Sequence, residues 1–218
     1  MNAATITMDG LTTSETTVRF ARPSRTRTVE PVSDDEDAQL MLAYARGEMR
    51  AFETLYSRHR GALYRYLTRQ ARDGEVANDL FQEVWSRVIV NRARYEPRAK
   101  FRTFLFTLAH NCFIDHCRRT KARPAGMGIE DADAADLLPA NEDSQPDLAL
   151  SRDEATRRYR AALATLPAEQ RDVYLLHEES DLSLEDIARI TGVGAETAKS
   201  RLRYAVSKLK AALAVSEA

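Results

Sequence analysis

Apolar residues recur every three or four positions through most of the chain from about residue 33 to residue 213. That is the period of helices with one buried face. Ser33 and Glu36 form a capping box that starts the first helix. Leu40, Ala43, Tyr44 and Gly47 share a face, and the pattern resumes after Gly47 with Phe52, Leu55, Tyr56, Leu63, Tyr66 and Leu67. The spacing predicts a helical pair or one long bent helix, ending near Arg72-Asp73-Gly74. The next helix, about 75–91, carries Ala77, Leu80, Phe81, Val84 and Val88 on one side, with Trp85 at its edge. A basic loop follows at 92–100, where Pro97 disfavours helix. A strong helix then turns Phe101, Phe104, Leu105, Leu108 and Cys112 inward. Arg102, Phe106, His110 and Asn111 lie away from that line.

The pattern returns at Ser151. Ala155, Tyr159, Ala162, Leu163 and Leu166 face inward, and Pro167 suits the first position of a following helix. That helix runs to about Glu179 and buries Val173, Leu175 and Leu176. Ser183 and Asp186 make another capping box before Leu184, Ile187, Ala188 and Ile190. Gly192 supplies a positive φ, and a longer helix starts near Ala195 with Ala198, Leu202, Ala205, Val206 and Leu209 on its buried stripe. A short helix, a glycine turn and a longer helix with exposed basic residues is the helix-turn-helix pattern. Its second helix would enter a DNA major groove. The same spacing also suits a plain helical hairpin with a solvated basic face.

With 218 residues, abundant charge and little Gly or Pro, the chain reads as all-α, with two small helical domains rather than a β-sandwich or barrel. The net charge of -1 gives no whole-chain case for nucleic acid, so the local balance decides. Residues 92–123 hold nine Lys/Arg against Glu96 and Asp115. Residues 124–150 hold seven acids and no Lys or Arg, interrupted by Gly126, Gly128, Pro139 and Pro146; they read as an acidic linker. Residues 195–212 hold five Lys/Arg and one acid. The expected layout is a disordered extension at 1–33, a helical domain at 34–123, the linker at 124–150 and a second domain at 151–215. No apolar run approaches the roughly 20 residues of a membrane span, and the first residues lack the apolar core of a secretory signal. Cys112 and Cys117, five apart on a helix, point to different faces. The expectation is a reduced, cytoplasmic protein with no membrane association.

Exposed aromatics among arginines on the 101–123 helix fit a platform for unstacked bases. A packed amphipathic helix with basic ends fits the same residues. His110, Cys112, His116 and Cys117 include one pair on a shared face, Cys112 and His116. A zinc site needs four converging groups, or three and a water, and no metal or other cofactor is expected. The leader places Ser24, Thr26 and Thr28 among Arg22, Arg25 and Arg27. It reads as a solvated tail or as a Ser/Thr kinase site.

The motifs ANDLFQEVW, FRTFLFTLAHNCFIDHCRR, LPAEQRDVYLLHEESDLSLEDIARITGV and ETAKSRLRYAVSKL, in that order, resemble the extracytoplasmic-function (ECF, group 4) branch of the bacterial sigma-70 family. The resemblance covers about residues 35–213. It implies a region 2 helical bundle and a region 4 helix-turn-helix. It places Asp79, Leu80, Gln82, Glu83 and Val84 where the family docks on the clamp helices of the largest RNA polymerase subunit. Tyr95, Arg98, Lys100, Arg102, Phe106, His110, Asn111, Arg118 and Arg119 fall in the reader and melter of the promoter -10 element. Glu196, Thr197, Lys199, Ser200, Arg201 and Arg203 match the start of the -35 recognition helix. The implied partners are core RNA polymerase, through its clamp helices and beta flap, and promoter DNA. Control by an anti-sigma factor is common in such a family, and the leader adds a Ser/Thr kinase as a second route. Asn78 departs from the family by replacing a frequent acid. No catalytic set is visible, so the expected protein is not an enzyme. A stand-alone helix-turn-helix regulator, binding duplex DNA without polymerase, is the alternative reading, and a pure interaction module with no sequence preference is a third.

Overall fold

Short polar and glycine signals set where the helices begin and end. In the structure, a computed structural model, residues 35–71, 73–122 and 146–215 are described. The leader, the Ser33 cap and linker residues 124–145 lie outside them. Among the described residues the regular structure is helical throughout. Helices α1 (Glu36–Ala45), α2 (Met49–Ala71), α3 (Gly74–Asn91) and α4 (Phe101–Ala122) make the first bundle, with a 3-10 turn at Arg92–Arg94. Helices α5 (Pro146–Ala164), α6 (Ala168–Ser180), α7 (Leu184–Thr191) and α8 (Ala195–Val215) make the second.

The chain breaks between α1 and α2 at Gly47, whose φ of +106° belongs to a region that side chains avoid. The alternative of one long bent helix is thereby settled as a pair. Asp73 starts α3, its carboxylate accepting the Glu75 N–H at 2.8 Å. Ser183 starts α7: its hydroxyl accepts the Asp186 N–H at 3.1 Å and donates to the Asp186 carboxylate at 2.9 Å. Gly192 ends α7 in the left-handed region at φ +68°, donating its N–H to the Ala188 carbonyl.

Three boundaries differ from expectation. Helix α1 begins at Glu36 with Asp35 as its cap residue. The Asp35 side chain leaves its own helix uncapped and instead accepts the Phe101 N–H at 2.6 Å, the first residue of α4. Helix α5 begins at Pro146, not Ser151; proline fits a first helical turn because its missing N–H would have no partner there. Helix α6 begins at Ala168, with Pro167 just outside it.

The core of the first bundle is built on Met41, Leu55, Leu63, Tyr66, Leu67, Leu80 and Leu105, each essentially fully buried. Burial of a side chain of this size contributes about 1.5–3 kcal/mol. An aromatic layer extends that core: Trp85 meets the Phe52 ring edge-on at 5.7 Å and the Tyr56 ring at 5.0 Å. In the second bundle Leu163, Leu166, Val173, Leu175, Leu176 and Ile187 are buried, and Ala198, Ala205 and Leu209 line the inner face of α8. Ala155, expected inward, is exposed. The bundles also meet each other: α6 packs on α2, and α4 reaches α6 and α7.

Gly192 gives a direct test of the α7–α8 turn. No atom lies within 4 Å of a Cβ built there, so only its backbone angle resists substitution. Gly192→Ala is expected to lower unfolding free energy by about 1–2 kcal/mol, read from urea denaturation. Gly192→Asn should lose less, because asparagine tolerates the left-handed region better.

Candidate nucleic-acid interface

Helix α8 presents the simplest surface. Small Ala198 and Ala205 are buried and let α8 seat closely, while Glu196, Thr197, Lys199 and Arg203 are exposed. Ser200 is half-buried, and its hydroxyl donates to the Thr197 carbonyl at 3.0 Å. Arg201 is turned aside into an ion pair with Glu169 of α6. The Arg203 guanidinium lies over its neighbour's ring, 5.2 Å from the Tyr204 centroid. Lys208 and Lys210 extend the cationic strip along the same helix.

The loop before α4 is more constrained than its sequence suggests. Tyr95 is buried, its ring 5.2 Å from Phe104 and 6.3 Å from Phe101. Its hydroxyl finds no hydrogen-bond partner among the described residues. Arg98 and Lys100 are exposed, and Arg98 donates through Nε to Glu96 at 2.7 Å. Beneath the loop, His59 is 2% exposed, with its ring 5.3 Å from Phe101 and Nε2 2.7 Å from the Asp37 carboxylate. Arg58 holds that carboxylate from the other side at 2.8 Å. Asp35, Asp37 and His59 therefore fix the start of α4 to α1 and α2.

Along α4 the expected platform of exposed aromatics is corrected. Phe106 is 0% exposed and meets the Tyr66 ring edge-on at 5.6 Å. Off the Leu/Cys line it still finds a second buried layer, so no open ring is available. Arg102, His110 and Asn111 are half-buried, while Arg118 and Arg119 are exposed at the far end. Arg102 donates to the Ser180 carbonyl at 3.2 Å and pairs with Asp181 at 3.2 Å. His110 Nδ1 lies 2.9 Å from the Asp172 carboxylate, not aligned as a hydrogen bond.

The α3 surface divides. Asp79 and Gln82 are exposed, and Glu83 is half-buried, donated to by Arg87 at 2.5 Å and 3.7 Å from Arg119. Leu80 and Val84 are buried in the bundle core. They cannot touch a docked partner directly; they position the exposed side of α3. Cys112 is buried away from water, which pushes its thiol up to about 12. Among the described residues no group of three or more His, Cys, Asp or Glu converges as a metal site. The polar residues that sequence reasoning missed are Asp172 and Glu179, both buried between α6 and α2.

Comparison with known proteins identifies the two bundles. The Sigma-70 region 2 family profile matches residues 55–123, and the Sigma-70, region 4 profile matches residues 156–209. The chain is 31% identical over 170 residues to the RNA polymerase sigma factor CarQ of Myxococcus xanthus, covering 78% of this chain and 93% of CarQ. It is 30% identical to the ECF RNA polymerase sigma factor SigM of Mycobacterium tuberculosis, covering 79% of this chain and 82% of SigM. Among solved structures it is similar to RpoE in complex with the anti-sigma factor NepR from Bartonella quintana, at a TM-score of 0.60 and 25% identity over 75% of this chain and 97% of that one. CnrH in complex with the cytosolic domain of CnrY shares the fold at a TM-score of 0.60 and 23% identity, over 82% and 97% of the two chains.

Burial lowers the affinity of His59 for a proton, outweighing the opposing pull of Asp37. Unfolding returns the ring to its ordinary value of about 6.5, so below that pH the unfolded chain takes up the proton first. Stability is therefore expected to fall as pH drops from about 6.5 toward the lowered folded value. His59→Gln should flatten that part of the profile, measured by urea denaturation at a series of pH values.

Proposed function

The chain belongs to the ECF branch of the sigma-70 family, and from that premise we propose how its surfaces divide the work of promoter recognition. The carrying observation is that region 2 and region 4 lie in family order on one chain, with an exposed basic strip leading α8. The α8 strip, through Glu196, Thr197, Lys199, Ser200, Arg201 and Arg203, reads duplex -35 DNA; base edges give specificity and phosphates give register. The 95–102 loop and α4 hold the opened -10 strand, with Arg98, Lys100, Arg102, His110, Asn111, Arg118 and Arg119 supplying charge and polar contacts. Tyr95 and Phe106 shape that face from beneath. Asp79, Gln82 and Glu83 on α3 meet the clamp helices of core RNA polymerase, and the second bundle meets the beta flap.

The protein acts by binding, without chemistry of its own, and works in the cytoplasm beside the polymerase. Strand opening costs a few kcal/mol per flipped base, offset by contacts to the captured bases. RpoE and CnrH each stand in a complex with a second protein, NepR and CnrY; an inhibitor of the anti-sigma class is the corresponding partner here.

Run-off transcription with purified core polymerase on fragments of the source genome tests this reading. Specific transcripts should appear only when the chain is added. Tight operator binding by the chain alone, without transcripts, would instead support a stand-alone regulator. On an active promoter, Arg203→Ala should lower open-complex formation about tenfold, the loss expected of one direct DNA contact. Binding to core polymerase, measured by gel filtration, should not change.

A further inference from the structure

The loop at 95–100 begins and ends on fixed points. Tyr95 at its entry is 8% exposed, with its ring against Phe104 and Phe101. Its hydroxyl has no hydrogen-bond partner among the described residues, so this side chain holds by ring packing. At the exit the hold is polar. Phe101 is fully buried and donates its backbone N–H to the Asp35 carboxylate at 2.6 Å. Asp35 stands 66 positions earlier in the chain and precedes residues 55–123, the stretch matched to Sigma-70 region 2. Its side chain leaves the start of α1 uncapped to make this bond. The Asp37 carboxylate, gripped by Arg58 and His59 of α2, ties the same end of α1 down, so Asp35 reaches α4 from an anchored base. Between the two fixed points Glu96, Arg98 and Lys100 are exposed. The Arg98 N–H closes a tight turn there, donating to the Glu96 carbonyl at 2.8 Å.

We propose that Asp35 is a positioning residue for promoter opening: by capping Phe101 it fixes where α4 starts, and so sets the 96–100 loop in the shape in which Arg98 and Lys100 meet the opened -10 strand. The inference rests on the reading of this loop and α4 as the surface that holds that strand. The first N–H groups of a helix have no partner within it. A carboxylate that accepts from one of them also meets the positive end of the helix dipole. Without that acceptor the first turn of α4 unwinds more readily into the loop. Lys100, whose carbonyl accepts the Phe104 N–H at 3.2 Å, loses its place with it. A loop that has to be ordered afresh at each encounter binds its strand more weakly, because binding must then supply the ordering. The action is indirect. A carboxylate repels phosphate, so Asp35 serves the strand through the backbone it holds, not by touching it.

Two variants of equal charge isolate the bond. Asp35→Ala removes the acceptor, whereas Asp35→Asn keeps one; both remove the negative charge. With the full chain bound to core polymerase on an active promoter, Asp35→Ala should raise the concentration needed for half-maximal open-complex formation about fivefold, the factor to which a lost helix cap converts. Asp35→Asn should stay within about twofold of the unsubstituted chain, since asparagine caps about as well as aspartate. Simple electrostatics predicts the same gain in DNA binding for both, because each loses one negative charge. Binding to core polymerase, measured by gel filtration, should be unchanged in both, which a general loss of fold would not allow. In the free full-length chain, brief trypsin digestion should cut after Arg98 and Lys100 about fivefold faster in Asp35→Ala than in Asp35→Asn, read by mass spectrometry. If Asp35→Ala does not fold by circular dichroism, Asp35→Leu, similar in shape and also without an acceptor, takes its place. Equal open-complex formation by the two variants overturns the proposal, and so does equal cutting. Absence of transcripts from the unsubstituted chain with core polymerase would strike the sigma reading itself, and the promoter role of Asp35 with it. The trypsin comparison needs no polymerase and would still decide whether Asp35 holds the loop.

Discussion

A single carboxylate at the junction of α2, α4 and α6 decides how the two bundles meet. Asp172 would be costly there without partners, because a buried charge stripped of its hydrogen bonds costs several kcal/mol. Tyr66, Gln70 and His110 surround it, and each comes from the other bundle. Apolar helix faces can slide past one another at little cost. A buried acceptor served by two donors of α2 cannot, since any slip leaves both sides unsatisfied. The arrangement fixes register more than it adds stability. Glu179, with Arg65 and Arg69, repeats the device further along α6.

Features that depend on neighbours in sequence were legible in the chain. The Ser183–Asp186 cap, the Gly192 turn and the helical stripes each rest on contacts within one or two turns. Features that depend on distant partners were not. Asp35 stands beside the first turn of α1 in sequence, yet its carboxylate caps Phe101, 66 positions later. Asp172 and Glu179 sit among charged residues on α6 and look like a solvated face until α2 is laid against them. Phe106 was misplaced for a related reason. A helix with one neighbour has one buried stripe, but α4 also meets Tyr66 off that stripe. For Leu80 and Val84, periodicity argued for the core and family resemblance for docking; their burial supports the former. The helix start at Pro146 was hidden because proline reads first as a breaker, although it is compatible with a first turn.

The near-zero net charge conceals an uneven use of cations. Around α4 many are already answered: Arg98 by Glu96, Arg102 by Asp181, Arg119 by Glu83, Arg118 by Asp115. Along α8, Lys199, Arg203, Lys208 and Lys210 stand exposed. The two surfaces therefore differ in readiness. The α8 strip can meet phosphates as it stands, whereas the α4 face must first give up internal partners.

That exchange is physically easy at the rim and hard at the centre. Exposed pairs such as Arg98 with Glu96 contribute only about 0–1 kcal/mol, so a phosphate can replace the carboxylate with little loss. The same holds for Arg102, whose partner Asp181 is 95% exposed on its side chain. Asp172 and Glu179 are different, because parting the bundles requires water to take over donors that are now buried.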